Sequence, residues 1–145
     1  MSDSSAAPGT YLLLLECRQS IHLSIGKLGA MCAVPGYYLY VGSAFGPGGV
    51  RARVKHHRNI ATSAHWHIDY LRLASDIVDA WCAYRLRCEH EWARCLIQGR
   101  SATVPLPGFG ASDCDCASHL FYFDRRPSRQ QLEQQLGCKL EILDA

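Results

Sequence analysis

"GYYLYVGSAFGPGGVRARVKHH", residues 36–57, decides how this chain is read. In its first half, "YYLYVGSA" alternates as a strand does, so Tyr38, Tyr40 and Gly42 share one face and Tyr37, Leu39 and Val41 the other. "FGPGG" then breaks the strand. A helix follows, in which Val50 and Val54 are spaced to face a core and Arg53 and His57 lie on a different stripe. Arg51, Arg53, Lys55 and Arg58 crowd into this segment with no acid among them, beside His56 and His57. Such a patch attracts phosphate even on a nearly neutral molecule, although a solvated helix face is the plainer reading of the same charges.

The rest of the chain frames that segment. Its 145 residues suit one domain, expected over 9–145 behind a small, polar, flexible tail at 1–8. A formal charge of +2 does not by itself indicate nucleic acid; the local distribution carries that argument. "MSDSSAAPG" lacks the basic and apolar parts of a signal peptide, and "LLLL" at 12–15 falls far short of the roughly 20 residues that span a bilayer. The expected location is therefore cytoplasmic, with no membrane partner. In that compartment the eight cysteines are expected to be reduced, with Cys17, Cys32, Cys82, Cys88 and Cys95 packing as small hydrophobes and "CDC" at 114–116 as the exception.

Outward from the quoted stretch, "TYLLLLEC" (10–17) and "IHLSIG" (21–26) flank a polar "RQS" and read as a hairpin, and "KLGAMCAVPG" reads as irregular. "SAHWHIDYLRLAS" (63–75) reads as a helix capped near Ser63, with Trp66, Tyr70 and Leu73 on one face. A strand over 76–86 and a helix over 88–99, closed by Gly99, come next. A long Pro- and Gly-rich loop leads to "SHLFYFD", and "SRQQLEQQLG" is a last helix between a Ser cap and a Gly. The sum is an α+β domain, a small, mainly antiparallel sheet with helices on its sides.

Order adds what single motifs lack. "GTY" (Gly9, Thr10, Tyr11) precedes "YVG" (Tyr40, Val41, Gly42), then Arg53 and His57 on a helix, then a glutamate on a later helix. In this order the chain resembles the GIY-YIG nuclease superfamily. "YVGSAFGPGGVRAR", "HWHIDYL" and "PGFGASDCDCASHLFYF" are similar to its branch recorded as a domain of unknown function, also found fused to archaeal endonuclease III. The resemblance implies a metal-dependent endonuclease that hydrolyses DNA phosphodiesters, structure-specific and active in repair, with RNA left open as a substrate. It implies catalytic roles for Tyr11, Tyr40, Arg53, His57 and Glu89, and one Mg²⁺ or Mn²⁺ held by that glutamate.

Each role has a chemical reason. Tyr11 and Tyr40 would stand on adjacent strands beside the attacking water. An unperturbed phenol is only about 0.1% ionised at neutral pH, so nearby cations must lower its pKa or it must relay a proton. Arg53 and His57 could supply that field, and His57 is itself a candidate base. Arg53 offers a planar fork to a phosphate oxygen. Gly48 and Gly49 would let backbone approach a phosphate at the helix start, with Ser43, Arg51, Lys55 and Arg58 positioning the nucleic acid. "CEHEW" leaves two acids open: in the superfamily it resembles, the metal glutamate is followed three and four places on by apolar residues, which favours Glu89 (Trp92, Ala93) over Glu91 (Arg94, Cys95). The chain departs from the excision-nuclease pattern at Ser43, where a lysine is usual, and has no asparagine near its end.

A second chemistry is written into "SDCDCASH". Cys114, Cys116 and His119, joined by His90 or Cys88, would make four zinc ligands, although C-x-C is less typical of zinc sites than C-x-x-C. Zinc is thus the alternative cofactor. A nucleic-acid binding module without catalysis and a zinc-stapled scaffold are the alternative functions.

Overall fold

A computed structural model describes residues 6–59, 66–99, 102–111 and 116–143. Its centre is β1 (Gly9–Cys17), whose successive leucines are all fully buried. Leu13 and Leu15 point into one core, with Val50, Val54, Ile68, Leu71 and Phe109. Leu12 and Leu14 point into the other, with Trp92, Leu96, Phe121 and Leu132. A strand covered on both faces has no polar side to alternate, and "LLLL" is the result.

β1 does not form a hairpin with β2 (Ile21–Ile25), as "RQS" suggested. It pairs antiparallel with β4 (Gly36–Ala44) on one side and β5 (Asp76–Tyr84) on the other, from Gly9 opposite both Ala44 and Tyr84. The supposedly irregular stretch contains β3 (Gly29–Ala33), the partner of β2 in a separate ribbon. With β6 (Leu120–Phe123) beside β4 and β7 (Glu141–Ile142) beside β5, the main sheet is five-stranded and antiparallel, in the order β6-β4-β1-β5-β7.

Helices cover both faces, which makes this an α+β fold. α1 (Gly49–Arg58) and α2 (His67–Arg72) pack on the Leu13 side, and α3 (Glu89–Gln98) and α4 (Arg129–Leu136) on the Leu12 side. α2 is shorter than the sequence suggests. Ser63 lies outside the described residues, Trp66 stands at the cap, and Leu73 is exposed rather than sharing a buried face. α3 ends at Gly99, but with extended backbone instead of a left-handed cap. α4 has the expected Ser128 cap, whose hydroxyl accepts from the Gln131 N–H, and ends on left-handed Gly137. At the amino end Ala7 is buried and its carbonyl accepts from the Val50 N–H at 3.0 Å. Among the described residues no helix is long and apolar enough to cross a membrane.

Candidate active site

The register between β1 and β4 builds the site floor. Tyr11 faces Gly42 and Leu13 faces Tyr40, so the two tyrosines are diagonal neighbours on one face, their ring centroids 6.3 Å apart. Gly42 leaves the space that the Tyr11 ring crosses: a Cβ there would lie 2.4 Å from the ring carbon that bears the hydroxyl. Tyr11 is 1% exposed and has nowhere to retreat. Gly42→Ala is therefore expected to lower stability by about 1–3 kcal/mol in denaturant unfolding. Gly46→Ala, where a Cβ meets nothing within 4 Å, is expected to stay within about 0.5 kcal/mol of the parent.

α1 lays Arg53 and His57 over this floor. His57 Nε2 lies 2.8 Å from the Tyr11 hydroxyl. Arg53 donates to the Ser43 carbonyl at 3.2 Å, its charge favours the ionised form of the Tyr11 phenol, and its guanidinium lies 4.7 Å from the Trp66 ring centre. Which of Tyr11 and His57 donates follows from the His57 tautomer: the neutral ring accepts from the Tyr11 O–H when its proton is on Nδ1 and donates when it is on Nε2. Arg72 anchors the helix end, donating to the carbonyls of His57 at 2.8 Å and Arg58 at 3.2 Å.

Burial dominates the electrostatics. It pushes the Tyr11 and Tyr40 phenols well above their usual range; the Arg53 charge pulls both down and is outweighed. His57 is lowered to about 4, first by burial and then by the neighbouring His56, Arg53 and Arg72 charges, against the opposing pull of Asp69. At neutral pH the hollow thus holds two protonated phenols and a neutral imidazole. The expected cationic field from His57 is absent, and Arg53 alone does not ionise a phenol here.

Glu89 reaches the same place from the other side of the sheet. The last β6–β4 pair is Leu120 with Tyr40, so β6 does not accompany β4 as far as Gly42 and Ser43. Glu89, first residue of α3, comes to that uncovered edge. Its Oε2 is 3.0 Å from His119 Nδ1, and the Ser43 side chain hydrogen-bonds to it. Burial raises the Glu89 carboxyl, but the His119 contact, with Ser43 and His90, outweighs burial and leaves it below the usual range. The carboxylate is ionised at neutral pH.

Tyr11, Tyr40, Ser43, Arg53, His57, Glu89, His90 and His119 thus line one hollow of about 200 Å³, with Trp66 and Gly110 at its wall. Of the two acids only Glu89 lines it; Glu91 is exposed in the neighbouring hollow with Phe45 and Arg87. Of the expected nucleic-acid contacts, Ser43 lines it and Gly48, Gly49, Arg51, Lys55 and Arg58 do not. Gly48 is exposed, whereas Gly49 is buried, with the Ala7 carbonyl in the space where a phosphate was expected. Arg51 pairs with Tyr84, Arg58 donates to the Leu143 carbonyl, and Lys55 is exposed.

Cys116, His119 and His90 come together, Cys114 lies outside the described residues, and Cys88 packs near the second core. Sequence reasoning missed Trp66, Gly110 and the contact of His119 with Glu89. The only local sign of Gly110 is its place in a Gly-rich loop; at φ +70° it has Tyr40 and His119 against it. A larger hollow of about 590 Å³ lies by β6 and α4, lined by Asp124, Arg125 and Arg126. Arg126 there is paired with Asp79 at 2.7 Å, and no histidine or cysteine lines it.

Residues 10–141 match the family described as Domain of unknown function DUF123, and the chain belongs to that family. Comparison with curated proteins and with solved structures gives no match.

Proposed function

We propose that this chain is a cytoplasmic, metal-dependent endonuclease of GIY-YIG type, from the branch also fused to endonuclease III, which hydrolyses DNA phosphodiesters at branched or nicked structures in repair. The observation that carries this reading is the Tyr11 hydroxyl 2.8 Å from His57 Nε2 within the hollow that also holds Tyr40, Arg53 and Glu89.

The chemistry follows from the protonation states. A protonated Tyr11 does not take a proton outright, but it can relay one: water gives its proton to the phenol oxygen as the phenol gives its own to His57 Nε2. Asp69 favours the imidazolium that results. Tyr40 stays protonated and donates to a phosphate oxygen. Arg53, fixed by Ser43 and Trp66, meets the charge that builds on the phosphoryl group. The ionised Glu89 fits a hard divalent cation, and bound Mg²⁺ or Mn²⁺ would supply Lewis-acid charge to the phosphoryl oxygens and the leaving group.

Purified protein incubated with branched, nicked and single-stranded DNA, and with RNA, plus Mg²⁺ or Mn²⁺ tests the reading. Cleavage of at least one DNA structure that stops with chelator is expected. Salt-sensitive binding without any cut strand would instead make this a nucleic-acid binding module.

A further inference from the structure

We propose that His90, Cys116 and His119 form a zinc site beside the hollow, separate from the hard-cation role assigned to Glu89. One donor atom from each lies within 4.8 Å of the other two. Tetrahedral zinc, with Zn–N near 2.0 Å and Zn–S near 2.3 Å, places such donors about 3.3–3.5 Å apart, so closure needs a contraction of up to about 1.5 Å. The burial gradient allows it. His119 is 1% exposed and held by backbone bonds, its N–H donating to the Phe109 carbonyl at 2.8 Å and its carbonyl accepting from the Val41 N–H at 2.9 Å. Cys116 is half-buried, and His90, on the exposed second position of α3, has room to swing inward.

The donor chemistry selects the ion. Two imidazoles and a thiolate suit borderline-soft zinc and do not suit Mg²⁺ or Ca²⁺. Glu89 stands behind the site: its Oε2 lies 3.0 Å from His119 Nδ1, so Nε2 is the nitrogen assigned to the metal. A carboxylate behind a ligating histidine fixes the ring and raises its basicity. On binding, the Cys116 thiol loses its proton to solvent. The ion ties α3 to the 116–119 segment and so holds the Glu89–His119 pair across the sheet edge. The site stands without the nuclease reading, since its donors need no phosphate.

The test uses the whole chain, produced with zinc and purified without chelator. One zinc per chain is expected by elemental analysis, and Co²⁺ exchange is expected to bring a thiolate-to-cobalt charge-transfer band. Zinc should shield Cys116 from alkylation in the unaltered protein while exposed Cys32 reacts, as read by peptide mass spectrometry. Cys116→Ser should lose the band and Cys32→Ser keep it, with circular dichroism reporting the fold of each. Glu89→Gln should keep the stoichiometry while zinc affinity falls about 10–100-fold. Metal-free protein that takes up Co²⁺ without a thiolate band, or Cys116 alkylated equally fast with and without zinc, would overturn the site. Neither outcome depends on whether DNA is cut.

Discussion

The Glu89→Gln variant is expected to cut Mg²⁺-dependent DNA cleavage by about 10³-fold while keeping its unfolding midpoint close to the parent's. The substitution preserves shape and removes the one charge that a hard cation would meet in the hollow. Glu91→Gln is the informative companion. Its side chain is exposed in the neighbouring hollow, so cleavage by that variant should match the parent. Because Glu89 also orients His119, both variants are assayed with zinc content measured. Arg53→Ala, which touches no zinc donor, should lose cleavage with zinc unchanged. Full activity in Glu89→Gln, or loss confined to Glu91→Gln, would move the metal ligand.

Acid is expected to strip stability through His57. Its folded pKa is lowered from 6.5 to about 4, so between those values the unfolded chain binds a proton that the folded chain refuses. Unfolding is therefore favoured as pH falls through that window, and the contribution is fully present above pH 6.5. The shift corresponds to roughly 3 kcal/mol, undiluted by solvent because His57 is 1% exposed. The measurement is the free energy of unfolding from pH 7 to pH 4 for the parent and for His57→Gln. Other groups titrate in both proteins, so their difference isolates the imidazole. It should be flat above pH 6.5 and close by roughly 3 kcal/mol toward pH 4; a difference that stays level would mean that His57 takes up its proton without cost.

Much of the site was legible because strand parity and helical spacing are local. Tyr38, Tyr40 and Gly42 had to share a face, and Arg53 and His57 had to stand one turn apart. Glu89 was favoured over Glu91 by the apolar residues after it, and Trp92 and Ala93 are indeed buried. What failed was long-range. The hairpin over 10–26 looked sound because two aliphatic runs flank a polar link, but an unbroken "LLLL" marks a strand covered on both faces. By contrast "IHLSI" alternates half-buried and exposed positions in a side ribbon. β3 escaped notice because "GAMCA" carries small residues with little strand preference. The protonation states were out of reach as well: the sequence left open whether nearby cations lower the phenols or the phenols relay a proton, and burial raises both. His119, just before β6 begins at Leu120, meets Glu89 at the edge of β4 that β6 leaves uncovered.

The central position of β1 has a consequence for biosynthesis. The strand precedes β4 and β5 in the chain, so its flank on β5 is complete only at Tyr84, and Glu89 and His119 follow later still. Until then a run of leucines destined for two cores stands bare on the nascent chain, the state in which aliphatic segments associate with one another or with chaperones. The exposure of these leucines thus ends no earlier than the synthesis of Tyr84.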